Sequence, residues 1–431
     1  MRRSCIIFII AIGLLLFLGC AHPNIPASNS VTTTPSQEKP ISHDLREQNP
    51  EYWQKVGTLL HKTLVGVSQV RQLSPPKQVQ FRVVTADWAE ERWGREYVKQ
   101  NLRKIEINDR IWKSLFVLPQ EFSLARLYAK WPRSYLMAKS EGKIYFVLEN
   151  LGRLDGREMR KTMAHEVVHL LQGKHFKTVQ RPTYDGDKAW SALVEGDADF
   201  TRTKYLEEIA QEPAPEIEPL PSALQTTPPS PQMPPAVARL FYFPYKYGEA
   251  FVSALYRKGG WQEVNQAYAH PPESTEQIID PQKYFAGEGP SRIKPLPLNI
   301  PNWRRRRSDR LGEYFIRVML RAKLTELKAA AAAQGWGGDS LTYYESPKSY
   351  LFTWQTLWDS NDDAAQFYEA FLKMLQGNDG RLESDDLWLA HGEYFWVKRR
   401  DHGILLIVSK DREMMKSALA AISSLARGEG N

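Results

Sequence analysis

The residues best suited to do chemistry are His165, Glu166 and His169, which form the pattern H-E-x-x-H. Side chains four residues apart on a helix project from nearly the same face, so the two histidines can bind one metal ion together. Glu166 directly follows the first histidine and can reach a water molecule at that metal. The pattern is short and also occurs by chance as two solvated histidines, so the surrounding sequence must decide between the two interpretations.

The sequence around this motif predicts a buried helix. Its other faces carry apolar side chains, including Met163, Val167 and Leu171, and buried histidines require polar or metal partners. Residues 155–158 have the pattern of a capping box, and Gly173 stands where the helix is expected to end. This context favours metal binding.

A second helix, predicted over residues 188–200, supplies a third ligand. Its apolar positions follow helical spacing, and Glu195 and Asp199 lie four residues apart on one face. A catalytic zinc site uses three protein ligands and keeps the fourth position for water. We interpret Glu195 as the third ligand and Asp199 as the carboxylate that orients a ligand histidine. The alternative is a solvated acidic helix face.

H-E-x-x-H on one helix followed by E-x-x-x-D on the next resembles the gluzincin metallopeptidases, the family that includes thermolysin. The resemblance covers about residues 81–200. It implies an α+β fold whose zincin-like domain combines a mixed sheet with the active-site helices. It also implies one Zn²⁺ ion held by the two histidines and Glu195. Glu166 would act as general base, taking a proton from a water molecule and returning it to the leaving amine.

The spacing departs from the gluzincin pattern, because 25 residues separate His169 from Glu195. A longer loop containing the turn residues 184–187 would accommodate the difference. His175 is a rival ligand, because it occupies the position of the third histidine in the metzincin pattern, although the glycine of that pattern is displaced by one. Asp199 completes the gluzincin pair, so Glu195 is preferred.

The resemblance also implies where a protein or peptide substrate would be held. In gluzincins the strand before the metal helix is a sheet edge that lines the cleft, and residues 144–149 are the candidate for this strand. An ordinary buried strand is the alternative. A tyrosine from a later helix often stabilises the oxyanion in such proteins. Tyr245 and Tyr247 are the candidates, with a packing role as the alternative.

The N-terminus has the features of a lipoprotein signal peptide. Residues 1–20 combine a basic start, an apolar stretch and a final Gly-Cys pair, and they end in a sequence that resembles the bacterial lipobox. This implies lipid on Cys20 and attachment to the cell envelope. Ala21 favours the outer membrane, facing the periplasm. Phe17 departs from the usual leucine, and an uncleaved anchor is the alternative, although the apolar run is short for a span.

The composition of the remaining chain predicts a tether, two domains and a linker between them. With 431 residues, 42% of them hydrophobic, it is long enough for two domains with linkers. Residues 21–50 are polar and predict a disordered tether. A zincin-like metallopeptidase domain is predicted over 51–285, with a Pro-rich insertion at 212–236 that holds nine prolines. A linker over 286–310 precedes a small C-terminal α+β sandwich domain over 311–431.

The charge and the cysteine content of the chain limit the functions that it can have. The net charge of +7 suits attachment to anionic lipid or envelope polymer, but the one dense basic run, residues 304–307, predicts a solvated linker. No nucleic-acid-binding motif accompanies it. Cys5 and Cys20 are the only cysteines, so the mature chain must bind metal through histidine and carboxylate. His391 and His402 are interpreted as surface or strand histidines.

These features together predict a membrane-anchored zinc metallopeptidase that hydrolyses peptide bonds of envelope proteins or peptides. The alternative is a non-catalytic metal-binding lipoprotein that acts as an assembly or partner-binding factor of the envelope. Glu166 favours the metallopeptidase over the non-catalytic protein, because a structural zinc site needs no acid beside its first histidine. A third interpretation is a latent enzyme whose Pro-rich segment covers its own cleft.

Overall fold

The chain folds as an α+β protein with two separate β-sheets, which agrees with the predicted fold class. The computed structural model describes residues 49–151, 154–179, 181–209, 232–298 and 300–426. The predicted signal peptide with Cys20, nearly all of the predicted tether and most of the Pro-rich insertion lie outside these ranges. None of the described helices is both long enough and apolar enough to cross a membrane.

The first sheet contains three strands in the order β1-β3-β2. Its strands are β1 (Phe81–Val84), β2 (Met137–Ser140) and β3 (Lys143–Val147). β3 pairs in parallel with β1 and antiparallel with β2, so it is the central strand and β2 is the edge. The prediction that residues 144–149 form the edge strand is therefore wrong. The tight turn after Ser140 folds β2 along the side of β3 that was expected to be open.

Helices surround this sheet. Those before the H-E-x-x-H motif are α1 (Pro50–Arg71), α2 (Ala86–Ala89), α3 (Glu96–Ser114), α4 (Leu124–Lys130) and α5 (Leu148–Leu151). A π-helical segment, Glu90–Arg95, joins α2 to α3. Those that follow are α6 (Gly156–His175), α7 (Tyr184–Glu208), α8 (Pro235–Ala269), α9 (Thr275–Ile279) and α10 (Pro281–Phe285).

The ends of these helices correct three predictions. α6 begins where expected, with the Asp155 side chain accepting a hydrogen bond from the Glu158 amide, but it continues past Gly173 to His175. Residues 184–187 form the first turn of α7 rather than a loop, because the Thr183 side chain caps that helix. Residues 235–236, predicted as the end of the Pro-rich insertion, begin α8. Proline is well suited to a first helical turn, where no amide donor is needed.

The second sheet contains seven strands in the order β4-β5-β6-β10-β9-β8-β7. The strands are β4 (Arg304–Asp309), β5 (Trp336–Glu345), β6 (Tyr350–Trp358), β7 (Arg381–Ser384), β8 (Leu387–Ala390), β9 (Glu393–Arg400) and β10 (Gly403–Ser409). The prediction of a linker over 286–310 is wrong for residues 304–309. Their backbone pairs with β5, and the basic run lies on this edge strand, where charged side chains oppose pairing with another chain.

Four helices accompany this sheet. They are α11 (Glu313–Leu320), α12 (Glu326–Ala333), α13 (Asn361–Gly377) and α14 (Arg412–Ala426). Residues 321–325 separate α11 from α12, because the side chain of Thr325 caps a new helix. Apolar side chains of α13 pack on one face of the sheet and those of α14 on the other.

The two parts of the chain that were predicted as separate domains share one hydrophobic core. The Trp112 ring of α3 lies 5.7 Å from the Phe315 ring of α11, measured between centroids. The Phe243 ring of α8 lies 4.3 Å from the Tyr314 ring. Helices of the first part therefore pack directly against α11, the first helix of the second part.

Candidate metal centre

Helices α6 and α7 bring the three predicted ligands together. Nε2 of His165 lies 3.1 Å from Nε2 of His169. Oε2 of Glu195 lies 3.1 Å from the first of these nitrogens and 3.5 Å from the second. The exposed fraction of these side chains is between 2% and 5%. Two imidazole nitrogens and one carboxylate oxygen therefore point at a common, buried position.

The donor set fits a divalent cation. Two histidines and one carboxylate are a ligand set that zinc favours in sites with an open fourth position. Among the described residues, neither Oε1 of Glu195 nor Oε1 of Glu166 accepts a hydrogen bond, although both atoms are buried. Buried carboxylate oxygens normally have partners. A cation and the water molecule beside it would supply them.

Glu166 is held by the edge strand of the first sheet. Its Oε2 accepts a hydrogen bond of 2.9 Å from the backbone amide of Lys139 in β2. Its side chain is fully buried, and burial raises the pKa of its carboxyl despite the nearby charges of His169 and His165. A general base works best when its pKa lies closer to the working pH than that of an ordinary carboxylate.

Asp199 lies behind His165. Nδ1 of His165 donates to Oδ1 of Asp199 over 2.7 Å, which leaves Nε2 directed at the other ligands. Arg202 forms a 2.8 Å ion pair with the same carboxylate oxygen. Burial lowers the pKa of His165, but the carboxylates of Asp199 and then Glu195 outweigh it and raise that pKa to about 10. The electrostatics of the centre thus favour positive charge.

Gln172, which the sequence analysis did not select, lies behind His169. Nδ1 of His169 donates to Oε1 of Gln172 over 2.7 Å. The Gln172 amide nitrogen donates in turn to the backbone carbonyl of Val194 at 2.9 Å and to Asp197 at 3.1 Å. Gln172 therefore orients a ligand of α6 and fixes α6 to α7. Its position three residues after His169 was a usable signal, because residues i and i+3 are neighbours on a helix.

Asp197 is the centre of a second buried network. Its carboxylate accepts hydrogen bonds of 2.7 and 3.2 Å from Arg71 of α1, and both side chains are fully buried. The Tyr268 hydroxyl donates to it at 2.8 Å and the Thr201 hydroxyl at 3.2 Å. Through this network α1 and α8 hold the helix that carries Glu195. The sequence contains no local signal for it, because Arg71 and Asp197 are 126 residues apart.

Of the two candidate tyrosines, only Tyr245 lies at the centre. Its ring is stacked on that of His165 at 6.2 Å between centroids, and burial, followed by the charge of Glu195, raises its pKa well above the usual range. Tyr247 is not brought to the site. Its ring packs 5.2 Å from Phe243 and 5.3 Å from Tyr314, measured between centroids.

Tyr135 lies near the centre and was missed in the sequence. Burial, followed by the charges of Glu166 and Glu195, raises the pKa of its hydroxyl. It stands two residues before β2, and the Asn150 side chain donates a 2.7 Å hydrogen bond to its backbone carbonyl. The short run between α4 and β2 carried no pattern that distinguished this tyrosine from a packing residue.

The other histidines considered above lie elsewhere. His175 is exposed at the end of α6, where its Nε2 lies 2.8 Å from the backbone carbonyl of Ser74, so it is not a ligand of this centre. His391 and His402 are exposed residues in turns of the second sheet.

A second acidic group offers no metal site. Glu276, Glu288 and Asp359 converge, but the ammonium of Lys283 lies between them at 2.6, 2.7 and 3.0 Å. The ammonium group therefore already lies where a metal ion would have to bind.

Comparison with known proteins informs only the second half of the chain. A family model described as a domain of unknown function (DUF8575) matches residues 299–418, which run from before β4 into α14. No curated protein and no solved structure matches the chain. The matched region contains none of the residues of the candidate metal centre. It does include β4, so the family match, like the sheet, begins before residue 311.

Proposed function

We propose that this chain is a zinc-dependent metallopeptidase of the gluzincin type, which hydrolyses peptide bonds of envelope proteins or peptides. The observation that carries the proposal is the convergence of His165, His169 and Glu195 on one buried position, with Glu166 beside them. The lipobox-like sequence that ends at Cys20 supports a lipid anchor in the cell envelope, with the outer membrane as the expected location.

Each residue has a role in this proposal. A zinc ion bound by the three ligands supplies Lewis acidity, which acidifies water and polarises a carbonyl group. Glu166 accepts a proton from the attacking water and delivers it to the amine as the C–N bond breaks. Its hydrogen bond from Lys139 keeps the carboxylate in place. The hydroxyl of Tyr245 is the candidate donor to the developing oxyanion.

The variant Glu166→Gln tests the proposal. We expect the purified protein to retain one zinc ion by metal analysis and to lose peptide hydrolysis by at least about a hundredfold, because general-base catalysis contributes that much or more. Glu158→Gln is the matched control, since Glu158 is an exposed residue of the same helix. Unchanged turnover of an unfolded protein substrate by Glu166→Gln would rule out the mechanism.

A non-catalytic metal-binding role is the second candidate, and burial is the observation that favours it. The three ligands are at most 5% exposed and Glu166 is fully buried, as expected for a closed structural zinc site. In that case removing zinc with a chelator would lower the melting temperature, and no peptide substrate would be cleaved by the wild-type protein. Hydrolysis by wild type that Glu166→Gln abolishes would exclude this role.

A further inference from the structure

A cavity of about 360 Å³ lies where the two parts of the chain meet. Its walls come from the end of α3 with the following loop, from the start of α8, and from the junction of α11 with α12. None of the metal-centre residues lines it. Its volume falls in the range of roughly 300–1,000 Å³ that is usual for small-molecule sites.

The charge of this cavity is strongly one-sided. Lys113, Arg239, Arg321 and Lys323 line it, with His391 at its border, and no aspartate or glutamate stands among the lining residues that the structure describes. Clefts lined by one sign of charge concentrate ions of the opposite sign. The cavity is therefore electrostatically suited to an anion.

Two of the four cations already have carboxylate partners. Lys113 pairs with Asp109 at 2.6 Å, and Arg321 pairs with Glu326. Arg239 and Lys323 form no ion pair with any carboxylate in the ranges that the structure describes. These two side chains are consequently available to hold a ligand.

The cations crowd one another. Burial, followed by the positive charges of Arg239 and Arg317, lowers the pKa of Arg321. Neighbouring like charges disfavour the charged forms, and a counter-charge placed between them removes that cost. An anion in the cavity would therefore offset the repulsion between the guanidinium groups of Arg239 and Arg321.

Most of the other lining residues are apolar, apart from Gln120 and Asn378. Phe116, Pro119 and Pro234 present accessible surface, whereas Val318 and Leu118 are only 2% and 3% exposed. The Phe116 ring also makes an edge contact with His391, with centroids 5.2 Å apart. A purely inorganic anion would leave this surface uncovered, whereas an anion with an apolar body would bury it.

We propose that this cavity binds a small amphiphilic anion, whose phosphate or carboxylate head contacts Arg239 and Lys323 and whose apolar body packs against Phe116 and Pro234. Arginine suits this role because its planar guanidinium binds phosphate and carboxylate oxygens through paired hydrogen bonds. The site is separate from the proposed peptidase centre.

Calorimetric titration of the purified full chain with hexyl phosphate tests the proposal. We expect hexyl phosphate to bind, hexanoate to bind through the same site, and both affinities to fall as salt is raised. Hexanol and hexyltrimethylammonium, which share the apolar body without the negative charge, should not bind. Inorganic phosphate should bind more weakly than hexyl phosphate. Equal binding of hexanol would overturn the proposed anion site, and equal binding of inorganic phosphate would overturn the apolar contact.

Variants locate the site. The double variant Arg239→Gln/Lys323→Gln should lower the affinity for hexyl phosphate by at least about tenfold, as expected for the loss of two charge-assisted contacts. The control Arg304→Gln/Arg305→Gln removes the same charge from an exposed part of β4 and should leave the affinity unchanged. Glu166→Gln should bind hexyl phosphate with wild-type affinity. The binding result is therefore independent of whether the chain is a peptidase. Wild-type affinity in the Arg239/Lys323 variant would refute the site.

Discussion

Gly248 of α8 packs directly against Gly196 of α7, so closely that a Cβ atom on Gly196 would lie 2.2 Å from the carbonyl group of Gly248. Only two residues without side chains permit this approach of the two backbones. Gly196 follows Glu195, and Gly248 lies one turn after Tyr245. The contact therefore holds the helix of a proposed metal ligand close to the helix whose Tyr245 ring stacks on His165.

The variant Gly248→Ala tests this contact. Its new Cβ would lie 2.2 Å from the backbone carbonyl oxygen of Ala192, so the helices must separate. Overpacking of this kind costs roughly 1–3 kcal/mol, which urea denaturation would measure, and we expect weaker zinc binding as well. Gly57→Ala in α1 is the control, because its Cβ would lie an ordinary 3.6 Å from the nearest atom, Cε1 of Phe81 in β1. A Gly248→Ala protein as stable as wild type would contradict the close packing.

Gln172 is expected to determine how tightly zinc is held. Gln172→Ala removes the acceptor for Nδ1 of His169 and the bridge to α7, and loss of such an orienting partner typically weakens metal binding by about 10–100-fold. Competition with a chromophoric chelator would measure the affinity. Gln54→Ala, at an exposed position in α1, should bind zinc as wild type does. Equal affinities in both variants would show that Gln172 serves only helix packing.

The buried ion pair between Arg71 and Asp197 should be strongly coupled. Arg71→Met leaves an uncompensated buried carboxylate and should destabilise the fold by roughly 3–5 kcal/mol. Arg71→Met/Asp197→Leu removes both charges and should recover part of that loss, although Tyr268 and Thr201 then lose their acceptor. A double-mutant cycle from denaturation curves measures the coupling. Additive effects of the two single substitutions would contradict it.

Site residues could be predicted from the sequence where their relative positions depend on one helix alone. The spacing of His165 and His169, and that of Glu195 and Asp199, places each pair on one helix face wherever the helix lies. The choice between Tyr245 and Tyr247 could not be made, because α8 is aromatic and apolar on several faces there. Which face meets α7 depends on how closely the two helices approach, which is a tertiary property.

Contacts between residues far apart in the sequence could not be predicted either, because they too depend on the tertiary structure. The hydrogen bond from Lys139 to Glu166 depends on which strand forms the sheet edge, and the run before the metal helix predicted the wrong one. The pairing of β4 with β5 likewise overrides the composition of the basic run at 304–307, which taken alone is typical of a solvated linker.

The stability of the fold should fall as the pH rises towards 8, with Glu313 as one cause. Its side chain is 7% exposed at the start of α11, and burial, followed by the charge of Glu276, raises its pKa from 4.5 to about 8. Between these values the folded protein holds a proton that the unfolded chain has lost. The free energy of unfolding therefore decreases with pH in this window, by at most about 1.4 kcal/mol per unit for this group.

Glu313→Gln removes this titration. We expect the variant to gain stability relative to wild type as the pH is raised from 5.5 to 8, with the difference smallest at the acidic end, where the wild-type side chain is also neutral. Urea denaturation at a series of pH values measures the difference. Glu369→Gln, at an exposed position of α13, is the matched control, because it removes one carboxyl without changing a buried group, and it should follow the wild-type pH dependence. If Glu313→Gln instead parallels wild type across the series, the carboxyl of Glu313 is ionised in the folded protein and its burial is compensated by Arg317 or Lys283.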